Sequence, residues 1–160
     1  MQKITPCLWF DKNGEEAARF YVSVFPNSRI VEVTRYGEAN PSQAGTVMTV
    51  SFELEGQSYV ALNGGPQYTF SEAISFSVSC ETQEEVDEYW SKLTDGGEEG
   101  PCGWLKDRFG VSWQVVPTAL PRLLTQTDAE TSQRVMRAMM SMRKLDIAEL
   151  ERAAAQPVGT

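Results

Sequence analysis

The chain contains no histidine. That removes the side chain most often used as a general base near neutral pH and the commonest transition-metal ligand. It also excludes Ser-His-Asp and Cys-His nucleophilic arrangements. Cysteine is scarce. Cys7, Cys80 and Cys102 form no CxxC pair, and an odd count fits reduced thiols, so a cytoplasmic location is expected. Basic residues are in deficit, 14 Lys and Arg against 22 Asp and Glu, for a net charge of −8. Phosphate backbones and anionic membrane surfaces are held by clustered Lys and Arg, so neither nucleic acid nor membrane is an expected partner. No apolar run is long enough to span a bilayer. The opening MQKITPCLWFDKNGEE lacks the apolar stretch and small-residue cleavage site of a signal peptide, so none is expected.

What is present is a core-forming composition, 41% hydrophobic over 160 residues, and a faint internal echo. Residues 15–21 read EEAARFY and residues 84–90 read EEVDEYW, a spacing of 69. The echo extends outward, pairing Ile4 with Ala73, Trp9 with Val78 and Phe20 with Tyr89. Two copies of one supersecondary unit imply a pseudo-twofold fold, and its seam is a natural ligand cleft.

The local pattern agrees. Residues 3–10 read as a strand that tolerates Pro6 near its start, and Asn13 as the N-cap of a helix over 14–25 with Glu15 and Glu16 at its positive end. Strands follow at 29–36, 46–55 and 58–63, the last two joined at Gly56-Gln57. The second half repeats the order. Residues 73–80 alternate Ser75, Ser77 and Ser79 against Ile74, Phe76, Val78 and Cys80. Thr82 and Glu85 make a capping box for a helix over 83–94, ended by Asp95-Gly96-Gly97. Short strands are expected near 98–101, 104–108 and 112–117. Asp128–Ala155 reads as one long helix whose apolar arc carries Val135, Met136, Met139, Met140, Met142, Ile147 and Leu150. Arg143 and Asp146 fall within that arc, spaced to pair.

Two βαβββ units in a chain of this size resemble the vicinal oxygen chelate superfamily, which includes glyoxalase I, extradiol dioxygenases, and fosfomycin- and bleomycin-resistance proteins. The sequence is most similar to its PhnB-like branch, often labelled 3-demethylubiquinone-9 3-methyltransferase. LWFDKNGEEAARFYVSVFPNS, YVALNGGP, FSEAISFSV, PCGWLKDRFGVSWQVVP and MRKLDIAELERA carry the resemblance over residues 2–153. The fold it implies is α+β: two βαβββ modules forming a cup-shaped eight-stranded mixed sheet, plus a long C-terminal helix. A glyoxalase-like domain would occupy 1–126, with modules at about 1–66 and 72–118, and residues 127–160 would form the C-terminal helix and tail. The resemblance also implies a homodimer.

Metal-dependent members take one ligand from each module's first strand and one from its last. Carried onto this chain, those positions read Ile4, Asn63, Ala73 and Gln114. Two are hydrocarbons and two are neutral amides, a set unsuited to a divalent ion, so no metal and no other cofactor is expected. The methyltransferase label finds no glycine-rich nucleotide turn. Asn63, Ser75, Ser77, Trp104 and Gln114 are the expected ligand-binding residues, presenting amides, hydroxyls and an aromatic wall to the cup. Glu98, Glu99 and Asp107 are candidate bases, and Cys102 a candidate thiolate. Three readings stand open: a metal-independent protein that binds a small molecule; a superfamily enzyme acting on a small metabolite; and a dimeric interaction protein with a vestigial cavity.

Overall fold

A computed structural model describes residues 2–156. The chain divides into two compact units, Met1–Phe70 and Ser71–Thr160. In the first, β1 (Cys7–Phe10), α1 (Gly14–Val24), β2 (Arg29–Arg35), β3 (Val47–Leu54) and β4 (Gln57–Asn63) follow in order. They form a four-stranded sheet ordered β1-β4-β3-β2, with β1 parallel to β4 and the other pairs antiparallel. In the second, β5 (Ser75–Cys80), α2 (Gln83–Thr94), β6 (Glu98–Glu99), β7 (Trp104–Lys106) and β8 (Ser112–Pro117) repeat the plan as β5-β8-β7-β6, again with one parallel pair. Both sheets are therefore mixed. Three helices follow: α3 (Ala119–Thr125), α4 (Ala129–Met140) and α5 (Ile147–Ala155).

Each helix covers one face of its sheet. In the first unit Ala17, Ala18 and Tyr21 of α1 are buried with Val50, Phe52 and Ala61 of the sheet, and Tyr21 and Phe52 meet at 6.2 Å. In the second, Val86, Trp90 and Leu93 of α2 are buried, as are Trp113 and Val115 of β8. The β3–β4 hairpin turns at Glu55-Gly56, one residue before the expected dipeptide. Both residues take positive φ (50° and 80°), as the turn that matches strand twist requires.

The echo has a one-residue slip that the sequence concealed. α1 and α2 begin 69 residues apart, but three residues separate β1 from α1 and only two separate β5 from α2. The buried strand ends Phe10 and Cys80 are thus 70 apart. A one-residue shift exchanges the two faces of a strand, so pairings at 69 fail in the strands. Phe10 pairs with Asn63 and Cys80 with Pro117, making Pro117 the counterpart of Asn63. Gln114 pairs with Ser77 and corresponds to Val60, which pairs with Cys7. Asn63 and Gln114 are not equivalent positions.

The C-terminal region also departs from expectation. In place of one helix over 128–155, α4 stops at Met140 and α5 begins at Ile147. The intervening backbone is claimed by tertiary hydrogen bonds. The Met142 and Arg143 carbonyls accept from the Cys102 and Gly103 N–H groups, both at 2.8 Å. The Gln83 amide donates to the Leu145 carbonyl and accepts from the Ile147 N–H. Asp146 does not pair with Arg143; its carboxylate caps α5 through the Glu149 N–H at 3.0 Å. Part of the apolar arc packs within its own unit, where Val135, Leu145 and Leu150 join Leu120 and Leu123, with Met139 and Met142 against them, while Met140 is exposed.

Candidate functional site

The strict alternation of β5 sends its serines to one face of the second sheet and Phe76, Val78 and Cys80 to the other. Strand pairing then sets that polar face in rows. Ser77, Gln114 and Trp104 are register neighbours across β5, β8 and β7, and Ser75, Ser112 and Lys106 form the next row. The Gln114 amide donates to the Ser75 hydroxyl at 3.0 Å. Ser77 is exposed, whereas Ser75, Trp104 and Gln114 are half-buried. Four of the five ligand residues expected from sequence are therefore brought together within one unit.

Beside these rows lies a cavity of about 190 Å³, lined by Glu72, Glu98, Glu99, Trp104, Lys106 and Ser112 among others. Lys106 forms an ion pair with Glu72. Hydrogen bonding to Lys106 lowers the Glu72 carboxyl from its ordinary pKa, and the same bond raises that of Lys106. Both groups are exposed, so the pair is a weak tether. Ser112, Lys106 and Glu72 were not singled out from the sequence as lining a site. The available signal was that Ser112 lies two residues before Gln114 on the same strand face.

Asn63 is placed elsewhere. It lines a cleft of about 600 Å³ in the first unit with Asp11, Lys12 and Tyr36. Its amide is occupied on both sides. The oxygen accepts from the Gly14 N–H at 2.8 Å and the nitrogen donates to the Val47 carbonyl at 3.2 Å. Asn13, the expected N-cap of α1, makes no side-chain cap, and Asn63 satisfies the first turn from 49 residues away. Asn63→Ala is expected to cost about 2 kcal/mol, a cap plus a second part-buried hydrogen bond. Thermal denaturation should show a fall of about 5 °C. An unchanged melting temperature would deny the amide its structural role.

The candidate bases are largely committed. Asp107 is buried and accepts three hydrogen bonds, from the Phe109 and Val111 N–H groups and the Trp113 indole. Glu99 accepts from the Trp90 indole at 3.1 Å. Glu98 is exposed. Cys102 is half-buried in a left-handed conformation, φ 59°. Cys80 is pushed up to about 11, first by burial and then by the Glu85 charge, and stays a thiol at neutral pH.

The expected ligand set does not fit a metal. Ile4 and Ala73 precede β1 and β5 rather than lying in them and carry no side-chain donor, the Asn63 amide is spent on backbone, and Gln114 is a neutral amide bonded to Ser75. Among the described residues no three His, Cys, Asp or Glu side chains cluster as an ion would need. A nucleotide-type methyl donor fits no better. Gly64-Gly65 follows β4 and Gly96-Gly97 follows α2, so neither pair makes the turn from a parallel strand into a helix that cradles such a ligand.

Two βαβββ units on this plan define an α+β fold built from two mixed four-stranded sheets. The chain belongs to the family described as 3-demethylubiquinone-9 3-methyltransferase, whose model matches residues 2–116. The match stops short of the 2–153 span of the sequence resemblance, and α3, α4 and α5 lie beyond it. A PhnB protein from Bacillus cereus, titled with the same methyltransferase name, is 39% identical over 73% of this chain and all of its own, with a TM-score of 0.65. A protein from Pseudomonas aeruginosa is 21% identical over 73% of this chain and 98% of its own, with a TM-score of 0.61. The fosfomycin resistance protein FosX from Listeria monocytogenes shares the fold at 16% identity, with 73% and 93% coverage and a TM-score of 0.50. No curated protein matches the chain.

Proposed function

We propose that this protein binds a small molecule without a metal, on the polar face of its second sheet. The observation that carries the reading is the row Ser77, Gln114 and Trp104, braced by the 3.0 Å bond from Gln114 to Ser75. It offers hydroxyls, an amide and an indole beside a cavity, the mixture of few polar groups and aromatic surface that small-molecule sites use. The spent carboxylates at Asp107 and Glu99 favour binding over acid–base catalysis. The reading includes a homodimer in the cytoplasm. Exposed apolar side chains at Ile4 and Val31 in the first unit suit burial against a second copy.

The test is a thermal-shift screen of metabolites and antibiotics in chelator. A ligand at about a hundred times its Kd adds about 2.7 kcal/mol, or about 5–10 °C here. At least one compound is expected to give that rise in the wild type and not in Gln114→Ala. Hits that require added metal, or that survive Gln114→Ala, Ser77→Ala and Trp104→Ala alike, would refute the reading.

A further inference from the structure

The cavity beside the serine-glutamine row contains a polar group that the protein leaves unanswered. Ser112 is 1% exposed, and its hydroxyl makes no hydrogen bond to any described residue. Buried hydroxyls are nearly always paired, and an orphan lining a cavity marks a place where something else supplies the partner. The surroundings specify what. Glu72, Glu98 and Glu99 line the cavity with one cation, Lys106, but successive side chains of β6 face opposite ways, so Glu98 shares the Lys106 face while the Glu99 carboxylate turns to α2. Glu72 is held by Lys106 and Glu99 by Trp90. Glu98 sits opposite Lys106 in the β6–β7 pairing and makes no hydrogen bond or ion pair of its own among the described residues. Trp104 adds an indole to the same lining, and the face of an indole attracts cations more strongly than any other side-chain ring. The volume, about 190 Å³, equals roughly six waters and suits a molecule of modest size.

We propose that this cavity takes a small protonated organic amine, its ammonium donating to the Ser112 hydroxyl and the free Glu98 carboxylate and lying against Trp104. The inference rests on the small-molecule reading above and names the ligand class of that same face. An anion is disfavoured because it would meet the carboxylates of Glu72 and Glu98, and a neutral solute would forgo the attraction of Glu98. Lys106 then acts against the ligand: it holds Glu72 but places a like charge at the cavity.

The test is calorimetric titration of the whole protein at pH 7 with three probes of matched shape: benzylamine, which is cationic, benzyl alcohol and benzoate. Benzylamine is expected to bind at least tenfold more tightly than benzyl alcohol, weakening as salt is raised, with no measurable binding of benzoate. Ser112→Ala should weaken benzylamine about tenfold without lowering the melting temperature, because it removes an unpaired buried hydroxyl. Glu98→Gln, at an exposed position, should weaken it similarly, and Lys106→Met should tighten it. The inference is overturned if benzoate or benzyl alcohol binds as well as benzylamine, if Ser112→Ala leaves affinity unchanged, or if Lys106→Met abolishes binding. If a neutral or anionic probe binds instead and is lost in Gln114→Ala, the small-molecule reading survives and only the amine class fails. If no probe binds and the metabolite screen is also silent, both fail.

Discussion

Asp107→Ala is expected to destabilise the fold by about 3–5 kcal/mol, lowering the melting temperature by about 10–15 °C. Asp107 sits between β7 and β8 with 3% of its surface exposed. One carboxylate oxygen accepts from the Phe109 and Val111 N–H groups at 2.8 and 3.1 Å, and the other accepts from the Trp113 indole at 2.8 Å. Alanine would leave these donors without their acceptor in a region that water does not reach. Hydrogen bonds to charged groups contribute about 1.5–3 kcal/mol each, but three on one side chain are not additive. Asp107→Asn separates the contributions. It keeps an oxygen for the two backbone donors while facing an NH₂ toward the Trp113 N–H, so it should cost about half as much. Equal losses for the two variants in chemical denaturation would contradict the assignment, and so would a change below about 1 kcal/mol in either.

Gly97→Ala should cost about 3 kcal/mol or more. A Cβ at Gly97 would lie 2.1 Å from the Lys106 carbonyl oxygen and within 3 Å of the Asp107 backbone. The obstacle is backbone rather than a flexible side-chain tip, so relief requires β6 and β7 to part. Overpacking of this kind costs about 1–3 kcal/mol where side chains can yield, and more where they cannot. Thermal denaturation should show a fall of about 10 °C. The change also has a local signature: it displaces the strands carrying Glu98 and Lys106. A protein that retained wild-type stability would contradict the close approach described here. Gly110, with open space around its Cβ position but φ at 89°, is the contrasting case, where alanine costs backbone strain alone.

Much of the fold was legible because local chemistry and tertiary structure agree. Thr82 caps α2 through the Glu85 N–H, and α2 spans residues 83–94 as its pattern predicts. The β5 serines alternate as they read, which is why four of the five expected ligand residues fall on one face. Two of the failures share a cause, a partner distant in sequence. Asn63 displaces Asn13 as the cap of α1 across 49 residues. Residues 141–146 contain no proline or glycine, and the helix breaks there because Cys102, Gly103 and Gln83 bind its carbonyls. Asn63 and Gln114 are not equivalent because strand pairing makes Pro117, three residues beyond Gln114, the counterpart of Asn63, which no helical match reveals. Asp107 read as a candidate base because its indole partner, six residues on, carries no pattern marking it as a donor to that carboxylate.

On the proposed reading this chain binds an organic molecule and needs no metal. Native mass spectrometry of freshly purified protein, with elemental analysis of the same sample, tests it most directly. The expected species is a metal-free dimer that carries a small organic mass or takes up benzylamine on addition, with the added mass lost on denaturation. A stoichiometric divalent metal, retained through gel filtration and required for any organic adduct, would contradict it.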